Sequence, residues 1–389
     1  MSDKRTTMAQ LAFLFLKLGT IAFGGPAAHI AMMEDEVVRR RKWISREDFL
    51  DLLGATNLIP GPNSTEMAIH IGHRRAGWAG LIVAGSCFIL PAAFMVGTIS
   101  WAYVRYGRLP QAEGVLFGVK PVVIAIVLQA IWRLARSALK TRLLCMAGTA
   151  AAILSFAGIN ELAILFGTGM TAAAAKSFFS GKSAGRSRFM PGFWPGIPGL
   201  AATATAGAAV PFSLWPMFLV FVKIGSVLFG SGYVLLVFLR ADLVDRLHWL
   251  TEGQLLDAIA IGQVTPGPVF TTATFIGYLL SGFSGALIAT AGIFLPAFFF
   301  VAVSGPLVPR LRRSPTAGAF LDGVNAASLA LMAVVLVQLA RAAFVDYSTA
   351  VIGIGAAVLL LRYNVNTTWL VLAGMVAGIV IHTSLGLGR

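Results

Sequence analysis

The segment FLKLGTIAFGG at Phe15–Gly25 is rewritten as FVKIGSVLFGS at Phe221–Ser231, and LLGATNLIPGP at Leu52–Pro62 as AIAIGQVTPGP at Ala258–Pro268. Lys17 and Lys223, Trp43 and Trp249, and Pro60 and Pro266 each lie 206 residues apart. Past the second PGP the spacing becomes 205, as Gly72/Gly277, Gly118/Gly323 and Arg136/Arg341 show, so one residue was lost and the register then held. A chain duplicated in this way is expected to fold as two related halves. In a hydrophobic sequence that pattern points to a transporter built from two repeats around one central site.

Hydrophobic residues make up 57% of the 389 and charged residues 12%, against roughly 25% charged in soluble domains. Apolar runs near the ~20 residues needed to cross a bilayer recur along the chain, leaving no room for a separate soluble domain. The net charge of +14 resides in short loops, as the preference of Lys and Arg for the cytoplasmic side predicts. No basic run is interleaved with stacking aromatics, so a nucleic-acid partner is not expected. Cys87 and Cys145 both lie in apolar runs, which argues against a disulfide framework or a zinc site. The N-terminus has the basic start and apolar core of a signal peptide. Its counterpart at Phe218–Gly232 is internal and cannot be removed, so the first copy is expected to be retained.

The expected fold is an all-α polytopic membrane protein, each half holding five spans and one helical hairpin broken at PGP. The spans are read at 8–33, 77–101, 114–136, 143–158 and 160–176, then at 214–239, 282–304, 319–341, 348–362 and 367–386. This divides the chain into an N-terminal repeat (1–176), a Gly-, Ser- and Pro-rich connector (177–212) and a C-terminal repeat (213–389). Residues 46–59 and 64–72 are each too short to cross ~30 Å. Arg39–Lys42 precede that pair and His73–Arg75 follow it. Basic residues on both flanks place both ends on one side, making the hairpin re-entrant with Ile59–Asn63 at its tip. The second copy has lost the basic excess, and five spans per half turn it over. Both arguments give inverted repeats, with the two tips meeting near the midplane. Proline ends one helix and opens another there, and a helix opening presents N–H groups that attract anions.

Lys17 and Lys223 occupy matching positions inside the first span of each repeat. An ammonium at that depth costs about 2.5–3.5 kcal/mol on insertion scales. Two symmetric copies suggest a pair of cations facing an anion, with snorkelling toward an interface as the alternative. Gly24, Gly25 and Pro26, with Gly230, Ser231 and Gly232, follow on the same helices and predict a local break, or else close helix packing. The tips Pro60-Gly61-Pro62 and Pro266-Gly267-Pro268 are flanked by Asn57, Asn63, Ser64 and Thr65 in one copy and by Gln263, Thr265, Thr271 and Thr272 in the other. Amides and hydroxyls suit an oxyanion and also serve as ordinary caps. Glu66, His70 and His73 share a helical face after the first tip and have no titratable equivalents in the second. They are candidates for proton coupling, the alternative being a polar face at the interface. Asp51 and Asp257 match across the repeat and suit ion pairing; Arg136 and Arg341 match near span ends as anchors. No P-loop, GxSxG or HExxH motif occurs, so neither enzymatic activity nor a cofactor is expected. An intramembrane enzyme acting on a lipid phosphate is the alternative of another class, and a homodimer is one assembly open to such a chain.

The segments FLKLGTIAFGGPAAHIAMMEDE, NLIPGPNSTEMAIHIGHRRAGWAG and QVTPGPVFTTATFIGY resemble the chromate ion transporter family in its long, fused two-domain form, and the resemblance covers nearly the whole chain. It implies a multi-pass carrier of the inner membrane that exports chromate, with sulfate as the chemically similar competitor. The family's Lys, FGG and PGP elements map onto Lys17, Phe23, Gly24, Gly25, Pro60, Gly61 and Pro62. The second copy keeps Lys223, Phe229, Gly230, Pro266, Gly267 and Pro268 but departs from the pattern with Ser231-Gly232.

Overall fold

The computed structural model describes residues 7–23, 25–107, 110–180, 212–229, 232–304, 314–363 and 365–384. Gly24, Gly230, Ser231, residues 305–313 and most of the expected connector lie outside them. The described chain is all-α. Its helices are α1 (Met8–Ile21), α2 (Gly25–Glu34), α3 (Arg46–Thr56), α4 (Asn63–Tyr106), α5 (Pro110–Ala138), α6 (Arg142–Phe156) and α7 (Glu161–Ser180). There follow α8 (Leu214–Val227), α9 (Leu235–Leu239), α10 (Glu252–Val264), α11 (Thr272–Ser304), α12 (Pro315–Ala343), α13 (Tyr347–Tyr363) and α14 (Thr367–Ser384). Among the described residues five segments are long and apolar enough to cross a membrane: Asn63–Tyr106, Ala112–Ala138, Val269–Ser304, Pro315–Ala343 and Thr367–Ser384.

The first expected span, 8–33, is broken. α1 ends where Ala22 turns extended (φ −77°, ψ 96°), and α2 restarts at Gly25, whose φ of +77° belongs to the left-handed region that glycine tolerates. The second copy breaks at the equivalent place, after Leu228 (φ −79°, ψ 107°). Each restarted helix then widens into a π-helical stretch, Asp35–Arg40 and Arg240–Arg246. Ser45 and Thr251 cap α3 and α10, each accepting from the backbone N–H three residues on.

The long segments α4 and α11 each fold back on themselves. The reversal falls at Ala76–Gly77 in one (Gly77 φ 62°, ψ −148°) and at Ser281–Gly282 in the other (Gly282 φ 61°, ψ −147°). Behind each turn the arms touch backbone to backbone. A Cβ on Gly72 would sit 2.2 Å from the Gly80 carbonyl oxygen, and one on Gly277 the same distance from that of Gly285. Hence 63–75 and 272–280 are short arms that return from the PGP turns, and only the second arms run on as full-length helices.

The halves interlock. α6 and α7 pack on α12, while α13 and α14 pack on α5; α4 lies against α11, and α5 against α12. Within each half α1 packs on α4 and α8 on α11, while α5–α7 and α12–α14 are covered mainly by the other half. The central core, which includes Val122–Val127, Leu235–Leu239 and Ala258–Ile261, draws on both.

Candidate functional site

The two PGP turns cross over. The N–H of Gly61 donates to Leu228 O at 2.7 Å, and the N–H of Gly267 donates to Ala22 O at 2.9 Å. Each turn therefore seats in the helix break of the other half and caps a carbonyl that the break leaves without an intrahelical partner. The contacts are reciprocal. Gly61 lies against Ala297 and Gly267 against Ala92, and Gly232 approaches Pro26, its own counterpart 206 residues earlier. Such contacts, in which i meets j and j meets i, mark a local two-fold axis.

A cavity of about 300 Å³ lies where these elements meet. Pro26 and Ala27 enter it from the first break, Pro62, Asn63 and Ser64 from the first turn, Gly232 and Tyr233 from the second break, and Pro268, Val269 and Phe270 from the second turn. Each of these four groups opens a helix. In α4 the first backbone bonds inside the turn are Thr65 N to Pro62 O (2.8 Å) and Glu66 N to Pro62 O (3.0 Å). The N–H groups of Asn63 and Ser64 precede them and point out of the helix end. α5 closes the cavity with Gln129 and Arg133. Gln129 is held from behind, donating to Leu360 O at 2.9 Å. Arg133 brings a guanidinium within electrostatic reach of Tyr233. Helix openings supply partial positive charge and Arg133 a full one, in a chamber whose wall mixes the polar side chains of Asn63, Ser64, Gln129 and Tyr233 with apolar groups such as Ile30, Leu134 and Phe270. The arrangement suits a small anion with several oxygens.

The sequence-derived candidates divide. Pro62, Asn63, Ser64 and Pro268 line the cavity, and Gly61 and Gly267 form the turns behind it. Asn57 accepts from Asn63 Nδ2 at 2.9 Å and lines a neighbouring space. Thr265, Thr271 and Thr272 donate their hydroxyl protons to Ile261 O, Pro268 O and Val269 O, so they brace the second turn. Glu66 is fully buried directly behind Gly61, and among the described residues neither of its oxygens has a hydrogen-bond partner; the same holds for Thr65 Oγ1, His70 Nε2 and Gln263 Nε2. His73 stacks edge-on against Trp78, nearer the hairpin base.

Lys17 and Lys223 are not among the residues lining the cavity. Lys17 Nζ lies 2.7 Å from Glu36 Oε1, and Lys223 Nζ lies 2.7 Å from Asp242 Oδ1. Each lysine is committed to a carboxylate 19 residues downstream in its own half, tying the helix before the break to the π-helical stretch after it. The sequence carried that signal, an acid at position +19 in both copies. Arg133 carried a fainter one, a charge inside an apolar run whose counterpart is the neutral Gln338. A search for matched pairs passes over it.

Further along α5 toward its start, Lys120 Nζ lies 3.0 Å from Asp257 Oδ1, and Tyr103 Oη donates to Asp257 Oδ2 at 2.8 Å. This triad knits α4, α5 and α10 together on one side of the cavity.

The sequence matches the chromate transporter family over residues 9–174 and again over 215–379. The chain belongs to that family. It is 32% identical over 384 residues to the chromate transport protein of Cupriavidus metallidurans, covering 95% of this chain and 91% of that one. It is 32% identical to the chromate transport protein of Pseudomonas aeruginosa (97% and 93% covered). It is 30% identical to a probable chromate transport protein of Synechococcus elongatus (90% and 88% covered). No solved structure matches the fold. The family and the apolar helices make the chain a multi-pass membrane transporter.

Proposed function

We propose that this transporter exports chromate across the cell's inner membrane, holding the dianion in the cavity between the two PGP turns. The observation that carries the reading is the convergence of four helix openings and Arg133 on that one cavity. A tetrahedral oxyanion has acceptors in every direction, and such a chamber offers donors from several. Asn63 and Ser64, with their backbone N–H groups, are the polar contacts assigned to it, and Arg133 is the fixed countercharge. Lys17 and Lys223 hold the two broken helices in shape.

The two halves run in opposite directions through the membrane in this reading, with the local two-fold axis lying in its plane. Rocking one half against the other then exposes the same cavity to each side alternately. A membrane potential negative inside favours anion exit by about 2.3 kcal/mol per charge per 100 mV. A dianion gains roughly 4–5 kcal/mol on leaving by that arithmetic, so efflux proceeds without ATP. Sulfate, of the same shape and charge, competes. Proton exchange, where it contributes, runs through Glu66 and His70.

The test is chromate accumulation by everted membrane vesicles carrying an imposed potential. Wild-type protein should accumulate chromate, excess sulfate should reduce the rate, and Arg133→Gln should abolish transport while Arg133→Lys retains part of it. Transport by Arg133→Gln at the wild-type rate would remove the cavity from the mechanism.

A further inference from the structure

A second cavity of about 320 Å³ adjoins the first. Leu134 lines both. Asn63 belongs to the first cavity and Asn57 to the second, and their amides are joined at 2.9 Å. One leucine side chain and one amide pair thus stand at the boundary between the two spaces.

The second cavity is the more polar, and its donors are arranged for a ligand. Ser328 on α12 is 3% exposed, and its Oγ has no hydrogen-bond partner among the described residues. A buried hydroxyl left in that state is destabilising, and a ligand that accepts its proton removes the penalty. Asn325, three residues earlier on α12 and so on the same helical face, lines the same space. Asn57 lines the same space, and because its carbonyl oxygen accepts from Asn63, its amide NH₂ is the group left to donate. Lys140, just past α5, lies at the mouth with its Nζ 3.9 Å from Asp322, whose negative charge it offsets. The hydroxyl, the amide NH₂ groups and the ammonium are donors of the kind an oxyanion needs, with Asp322 the carboxylate on the same lining.

The two directions along α5 differ. Toward Lys140, the residues at 134, 137, 138 and 140 face the second cavity. Toward the start of α5, Lys120 is locked to Asp257, which Tyr103 also grips. Position 120 is the repeat counterpart of Asn325, and Val123 that of Ser328. The donor set on one side is therefore replaced on the other by an ion pair and an aliphatic side chain. The open side carries Arg136, Lys140 and Arg142, the basic excess of a cytoplasmic face.

We infer that the second cavity is an entry subsite for a tetrahedral oxyanion, held by Ser328, Asn325 and Asn57 on the cytoplasmic side before it passes Leu134 into the central cavity. This rests on the transport reading above and adds a waiting position and the residues that hold it. The test uses full-length protein with Cys87→Ala, Cys145→Ser and Ser328→Cys, in everted and right-side-out vesicles. An anionic, membrane-impermeant methanethiosulfonate should label the introduced thiol in everted vesicles only. Molybdate, a tetrahedral dianion that does not oxidise thiols, should slow the labelling at least several-fold. Leu134→Trp in this background should stop transport while leaving labelling and protection intact. With the native cysteines in place, Ser328→Ala should raise the KM for chromate by roughly tenfold, the worth of one hydrogen bond to a charged acceptor. Labelling indifferent to molybdate, or absent from everted vesicles, in protein that still moves chromate would overturn the subsite alone. Absence of transport by the wild type would instead overturn the functional reading on which it rests.

Discussion

Lys223 and Asp242 offer the sharpest separation between a lysine that binds substrate and one that holds the fold. Their side chains are 24% and 5% exposed and 2.7 Å apart, and Arg246 NH2 approaches the same carboxylate oxygen at 2.8 Å. Removing one member of a buried ion pair costs about 3–5 kcal/mol, because the other charge stays buried without compensation. Lys223→Gln should fall at or below the bottom of that range, near 2–3 kcal/mol, since Arg246 still faces Asp242. Asp242→Asn leaves two cations facing each other with no carboxylate and should reach about 4 kcal/mol. The double variant replaces the pair by two hydrogen-bonding amides of similar size and should cost only about 1–2 kcal/mol in all, giving a coupling energy of about 5 kcal/mol. The assay is the thermal midpoint in detergent, followed by chromate accumulation in everted vesicles. One kcal/mol shifts Tm by about 2–4 °C at 150–250 residues and by less in a chain this long. If the lysine is structural, the double variant regains both midpoint and transport. Recovery of the midpoint with no transport at all would show that Lys223 acts on the substrate, and the structural assignment would be wrong.

Four further outcomes follow from the same geometry. Gly267→Ala must place a Cβ at φ +93°, 2.6 Å from Ala92 Cβ and 3.0 Å from Gly19 O; strain of ~1–2 kcal/mol and overpacking of ~1–3 kcal/mol should lower the thermal midpoint and slow transport. Gly77→Ala meets nothing within 4 Å and pays only for its φ of +62°, so it should be milder, by the same midpoint measurement. Asp257→Asn weakens the Lys120–Asp257–Tyr103 triad and should raise anion leak through liposomes without a matching rise in driven transport, measured as sulfate flux with and without potential. Glu66→Gln keeps the shape of the group behind Gly61 and removes its proton; potential-driven accumulation should persist while the response to an imposed pH step disappears.

Much of this architecture is legible in the sequence because local rules set it. Proline and glycine at 60–62 and 266–268 stop a helix wherever they fall, and the short arms beside them cannot cross a bilayer. The break after Phe23 follows from the same chemistry of small residues. The fold-back at Gly77 and Gly282 is also local: the spans expected from 77 and from 282 begin at the two glycines whose positive φ makes the reversal, although no proline marks the turn. The site is less legible. Which helix break receives which turn is a long-range matter, and nothing near Gly61 in sequence announces Leu228. The symmetry of Lys17 and Lys223 is visible in the sequence, whereas their ion-pair partners Glu36 and Asp242, equally symmetric 19 residues on, lie among other charged residues and do not stand out. Arg133 breaks the symmetry, since its repeat counterpart is the neutral Gln338, and a comparison of matched pairs does not single it out.

The most direct measurement is the location of chromium itself, by anomalous scattering from crystals of the protein grown or soaked with chromate. A peak is expected in the central cavity, within hydrogen-bonding reach of Ser64 and Arg133 and between Pro62 and Pro268. A peak beside Lys17 or Lys223, with the central cavity empty, would contradict that placement.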